Sequence, residues 1–116
     1  MEISLGDCAG VAVLRLRGDL RLWGQQGMIE QVRDRLHSLI AQGHKRLILN
    51  LSQVTHIDSR GIGCVARCVA TAADQGAQMH LVVVPGLILD TLVKLKFTAI
   101  LSTHPDEKTA AEALTK

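Results

Sequence analysis

The sequence predicts an α/β domain: a mixed sheet, made of an antiparallel N-terminal hairpin followed by parallel β/α units, covered by about four helices. Three observations carry this. The run Leu47-Ile48-Leu49-Asn50-Leu51 is apolar at nearly every position, as befits a strand covered on both faces. Downstream of it, Ile62, Val65, Ala66, Val69 and Ala73 recur at helical spacing. From about residue 24 onward strand and helix patterns alternate, and a strand that returns to its sheet through a helix pairs parallel with its predecessor.

Taken in order, Ile3 and Leu5 predict a short opening strand, residues 7–10 a turn, and residues 11–17 a second strand completing a hairpin. Leu14 and Leu16 point one way and Val13, Arg15 and Arg17 the other, so one face is expected to be partly solvated, with the arginines as solvated cover. Residues 24–42 read as an amphipathic helix that aligns Met28, Ile29, Val32, Leu36, Leu39 and Ile40, and Gly43 stops it. The buried strand follows at 46–51. The next helix opens at Asp58 or Ser59, either of which can cap free N–H groups, and closes at Gly76. A strand at 79–84, a short helix at 87–94, a last short strand at 99–101 and a terminal helix at 106–114 complete the chain. No repeat, linker or low-complexity segment interrupts it, so residues 1–116 form one domain.

With one Trp, one Phe and no Tyr among 116 residues, the core must be aliphatic, and the aromatic platforms that bind single-stranded nucleic acid are missing. The 13 basic and 11 acidic residues are dispersed, leaving +2 without a run of like charge, which is not a nucleic-acid footprint. The longest apolar stretch, 81–89, is broken by Pro85 and Gly86 and falls short of the roughly 20 residues a membrane span needs. The opening Met1-Glu2 lacks a signal-peptide pattern, so a cytoplasmic protein without membrane insertion is expected. Cys8, Cys64 and Cys68 are odd in number and without metal-type spacing. Cys64 and Cys68 share a helix face and read as buried or half-buried small hydrophobes.

Little in the chain suggests catalysis. Gly61-Ile62-Gly63-Cys64-Val65-Ala66 formally matches G-x-G-x-x-A, but about six residues separate the strand from the glycines and the next strand ends Val83-Val84-Pro85 without a carboxylate for a ribose. His56, Asp58 and Ser59 are too close in sequence to converge as base, orienting acid and nucleophile, and there is no G-x-S-x-G elbow. His37, His44, His80 and His104 are scattered. No catalytic residue, metal or cofactor is therefore expected. On local grounds alone, Ser59 is either a helix cap or a functional serine.

Residues 47–63, an apolar strand leading through a short loop into Asp58-Ser59-Arg60-Gly61-Ile62-Gly63, closely resemble the central signature of STAS domains (sulphate transporter and anti-sigma-factor antagonist). Residues 11–20, 78–84, 85–95 and 105–114 are similar to the family's remaining strands and helices, so the resemblance spans nearly the whole chain. It implies an anti-sigma-factor antagonist, a partner-switching regulator of transcription rather than an enzyme. Ser59 would be the phosphorylated residue and Asp58, Ser59, Arg60, Gly61, Ile62 and Gly63 the partner-binding segment. An anti-sigma factor with serine kinase activity would bind the unphosphorylated form, and a serine phosphatase would restore it. The same resemblance extends to accessory subunits of ABC-type lipid transporters and to stressosome-type scaffolds. Two positions depart from the commonest antagonist pattern: Arg60 replaces a small residue, and Arg21 stands where many members carry an acidic one.

Overall fold

The structure, a computed structural model, describes residues 2–19, 28–99 and 101–115. Strands β1 (Glu2–Cys8) and β2 (Val11–Asp19) pair antiparallel around a two-residue turn, Ala9-Gly10, with both φ angles positive at 53° and 83°. Such a turn matches the right-handed twist of the flanking strands. Then follow α1 (Met28–Ala41), β3 (Arg46–His56), α2 (Ser59–Asp74), β4 (Gln78–Val82), α3 (Leu87–Lys94), a 3-10 turn at Phe97–Ala99, β5 (Thr103–His104) and α4 (Glu107–Leu114). The sheet order is β1-β2-β3-β4-β5, with every pairing after the hairpin parallel.

A sheet whose parallel strands lie in sequence order, joined by right-handed crossovers, places all its crossover helices on one face. That face holds the larger core: Leu14, Leu16, Leu47, Leu49, Leu51 and Leu81 of the sheet pack with Leu36 of α1, Ile62 and Val65 of α2 and Leu92 of α3. The opposite face is left to the chain's end, where Ala110, Ala111 and Leu114 of α4 cover Val11, Val13, Ile48 and Val82.

Several expectations need correcting. The second face of β2 is partly solvated, as expected, with Arg17 exposed, but it is less open than a free arginine stripe would be. Val13 is fully buried beneath α4, and Arg15, rather than standing free as cover, is bound at its Nε and Nη2 by both carboxylate oxygens of Glu107, at 2.8 and 2.9 Å. Gly6 makes room for this, since a side chain there would occupy the space the Arg15 guanidinium fills. Strand β3 continues five residues beyond 51, because the end of β2 pairs with it as far as Asp19↔His56. In α2 the inward stripe is Gly61, Ile62, Cys64, Val65, Cys68 and Ala72, while Ala73 is exposed: the helix is rolled toward α1. The last strand is not 99–101. Lys96, at φ 63°, ends α3, Leu101 turns into the core, and the polar pair Thr103-His104 reaches β4, flanked by bonds from Leu81 N to Ser102 O and Val83 N to His104 O. The expected helix start at 24–27 and Arg21 lie outside the described residues.

Candidate functional site

Strand β3 ends at His56, and only Ile57 and Asp58 separate it from α2. Ile57 is half-buried against the core and anchors the junction. Asp58 is extended, with φ −121° and ψ −176°, and its Oδ1 accepts the Arg60 and Gly61 N–H groups, both at 3.0 Å. These bonds satisfy two donors that every helix start leaves open. The Gly61 N–H bond, followed by the nearby Arg60 charge, holds the Asp58 carboxyl below the usual carboxylate range.

With Asp58 as the cap, Ser59 has no such duty. It is the first residue of α2, is exposed, and has no hydrogen-bond partner among the described residues. Arg60 is also exposed, its Nη2 lying 3.4 Å from Asp58 Oδ2. Gly61 and Ile62 turn inward, Ile62 to 1% exposure, whereas Gly63 is exposed with open space where a side chain would stand. The six signature residues therefore divide into an outward set, Ser59, Arg60 and Gly63, and an inward pair, with Asp58 tying them together.

Beyond Gly63 a depression is lined by Ser59, Arg60, Gly63, Cys64 and Arg67 of α2. A separate narrow recess between α1 and α2 shares Cys64 and Arg67 with it and is closed by Arg33, Leu36, Cys68 and Thr71. Cys64 and Cys68 are buried side by side. The bond with Cys68, together with burial, pushes the Cys64 thiol above its ordinary range. Sequence reasoning singled out Arg60 but missed Arg67 and Arg33. Arg67 lies two helical turns from Ser59 and could have been found by spacing, but Arg33 belongs to another element.

The histidines sort differently. His56 lies 3.2 Å from Thr55 Oγ1 and 3.9 Å from Asp19 Oδ2, at the end of β3. His80 and His104 stack with ring centroids 5.1 Å apart and His80 Nδ1 3.0 Å from His104 Nε2, and burial followed by the His104 charge lowers the His80 pKa. Among the described residues no group of three or more His, Cys, Asp or Glu could hold a metal ion, and no helix is long and apolar enough to cross a membrane. What the site offers is an exposed hydroxyl beside a fixed carboxylate at a helix start.

A family model described as the STAS domain matches residues 7–110. Among solved structures, the fold is similar to an anti-sigma factor antagonist from Mycobacterium paratuberculosis, with a TM-score of 0.81 at 15% identity over 99% of this chain and 94% of that one. It is also similar to the anti-sigma factor antagonist SpoIIAA in its unphosphorylated form, with a TM-score of 0.68 at 20% identity over 97% and 96%. The phosphorylated form of SpoIIAA, a Bacillus cell fate determinant, gives 0.67 at 19% over 97% and 99%. No curated protein sequence matches the chain.

Proposed function

This chain belongs to the STAS domain family, and we propose that it acts as an anti-sigma-factor antagonist whose binding is switched at Ser59. In its unmodified form it binds an anti-sigma factor with serine kinase activity through the surface around Asp58, Ser59, Arg60 and Gly63, with Gly61 and Ile62 shaping the turn from within. Phosphorylation of Ser59 by that partner ends the binding, and a serine phosphatase reverses it. The chain is substrate and switch, with the chemistry on its partners in the cytoplasm.

The observation that carries this reading is the division of labour at the helix start: Asp58 does the capping, so the exposed Ser59 hydroxyl is spare. Solved neighbours of the fold include SpoIIAA in both phosphorylated and unphosphorylated forms. A phosphate on Ser59 adds about −1.5 to −2 charges next to Asp58, whose carboxylate already occupies the Arg60 and Gly61 N–H groups. The helix dipole and Arg60 tolerate that charge while it stays in water. A partner covering the surface must desolvate it, at several kcal/mol, and each 1.4 kcal/mol is about tenfold in affinity.

The test uses the purified chain and the purified serine-kinase anti-sigma factors of its source genome. At least one should bind and phosphorylate the parent, Ser59→Ala should bind it but escape phosphorylation, and Ser59→Asp should bind at least about tenfold more weakly. Equal phosphorylation of Ser59→Ala, or undiminished binding of Ser59→Asp, overturns the switch.

A further inference from the structure

Strand β1 is one edge of the sheet, and no strand lies beyond it among the described residues. Its seven residues run in unbroken register with β2 and include no lysine, proline or bulge, the usual devices that keep an edge from pairing. The Cys8↔Val11 pair closes the two-residue turn, so hydrogen-bonded pairs alternate from there through Gly6↔Val13, Ser4↔Arg15 and Glu2↔Arg17. That alternation directs the N–H and C=O groups of Ile3, Leu5 and Asp7 out of the edge. On the face that carries α1, Leu5 is 55% exposed and lines a depression of about 140 Å³ with Leu14 of β2 and Arg35, Ser38, Leu39 and Gln42 of α1. The opposite edge of the sheet, β5, spans only Thr103–His104.

We infer that β1 pairs antiparallel with β1 of a second copy of this chain, about a two-fold axis at Leu5, joining two sheets into one. An open edge takes an extended segment that matches its N–H and C=O groups, and this strand is its own complement. Pairing centred on Leu5 sets Leu5 against Leu5, Ile3 against Asp7, Ser4 against Gly6 and Glu2 against Cys8. The whole strand is used, the outward groups of Ile3, Leu5 and Asp7 meet one another, and no acid stands opposite an acid. Centring the axis on Ser4 or Gly6 instead shortens the ladder. Directly opposed residues share a face, so Leu5 of the second copy projects beside the depression next to α1, where each leucine shields the other from water. The two-fold consumes the long edge of both copies, and the two-residue β5 is too short to continue the sheet, so assembly stops at a dimer. Ser59 follows β3, two strands from β1, and stays exposed in both copies, so the inference does not rest on switching at that residue.

Sedimentation velocity of the full chain should show a dimer at about 100 μM that dissociates toward about 1 μM, as befits an interface the size of one strand. Leu5→Lys sets two like charges against each other at the axis and should be monomeric throughout. Leu87→Lys makes the same change at an α3 leucine that is 63% exposed, and should dimerise like the parent. Both variants are first shown to melt as folded domains. A second measurement reads the register directly. In a chain carrying Cys8→Ser, Leu5→Cys should give a disulfide-linked dimer with oxidised glutathione, because opposed Cα atoms of a hydrogen-bonded pair lie about 5.5 Å apart, within disulfide reach. Leu87→Cys in the same background should not. This cross-link decides the matter if Leu5→Lys fails to fold. A parent that stays monomeric at about 100 μM, a Leu5→Lys chain that dimerises as the parent does, equal loss in Leu87→Lys, or no cross-link in the Leu5→Cys chain overturns the inference. Species larger than a dimer overturn the two-fold closure. If the parent is monomeric and amide exchange along β1 slows only when an anti-sigma factor is added, the edge belongs to that partner and the second copy is overturned.

Discussion

Helices α2 and α4 lie on opposite faces of the sheet and begin with the same device. The Asp58 carboxylate accepts the Arg60 and Gly61 N–H groups at 3.0 Å, and the Asp106 carboxylate accepts the Thr109 N–H at 2.7 Å. What differs is the residue after each cap. Glu107 reaches down to the sheet, where it takes Arg15 in a two-bond grip and accepts 2.6 Å from Asn50 Nδ2. Ser59 has no hydrogen-bond partner among the described residues. Arg15 and Asn50 are direct cross-strand neighbours on β2 and β3, so a pair of polar side chains stands ready under the start of α4. The first turn of α2 packs on the sheet through Gly61 and Ile62, which leaves Ser59 on its exposed side. An aspartate cap thus secures both helices, and the way each first turn faces the sheet decides whether the next side chain is tied into the structure.

The comparison can be broken most severely through the anchoring of α2. Val65 is fully buried against the sheet, and Val65→Asp should destabilise the domain by about 3 kcal/mol or more, because it buries an unpaired charge. A chemical-denaturation midpoint unchanged from the parent would show that α2 is not held as described. Next in size is Glu107→Ala, which strands Arg15 and Asn50 in a part-buried site and should cost about 1 to 3 kcal/mol.

That same site has a pH signature. The Arg15 bond, with a further bond from Asn50 and the Arg15 charge, holds Glu107 below the ordinary glutamate range against an opposing effect of burial. A folded-state pKa below the unfolded value of about 4.3 makes the contribution full above that pH and lost as pH falls through the folded value. The stability gap between the parent and Glu107→Gln should therefore narrow from about pH 5 toward pH 3. A gap constant over this range would mean that the carboxylate charge has no part in it.

The caps themselves come third. Asp58→Ala should cost about 1 kcal/mol, and Asp106→Ala should also lower the melting temperature, because each removes the acceptor for the first free N–H groups. The smallest effect should be that of Ser59→Ala, within about 0.5 kcal/mol of the parent, since the serine does no capping. Were Ser59→Ala as costly as Asp58→Ala in thermal denaturation, the contrast between the two helix starts would collapse.

Much of this was legible along the chain. The strand through Leu47–Leu51, the opening of α2 at the Asp58-Ser59 junction and α3 at Leu87–Lys94 all rest on local signals, namely apolar periodicity, a capping residue and a breaker. Which of Asp58 and Ser59 does the capping stayed open, because both side chains can accept the same N–H groups and only the backbone geometry chooses. The length of β3 was hidden for another reason: Gln53, Thr55 and His56 are exposed and carry no strand pattern, and they are strand only because Arg17 to Asp19 of β2 pair alongside. The misplaced last strand has a similar origin, as an apolar run is equally suited to a strand or to a plug, and Leu101 is a plug.

The sequence by itself determined the element order, the aliphatic core and the serine at the start of α2, because periodicity, composition and capping act over a few residues. Only the tertiary structure decided which polar groups meet. Glu107 lies 92 residues from Arg15 and 57 from Asn50, and they converge because α4 is the one helix left to cover the far face of the sheet. Arg33 and Arg67 come to flank one narrow recess because α1 and α2 pack side by side on the near face. Contacts of that range depend on how the layers stack, and no local pattern along the chain carries that information.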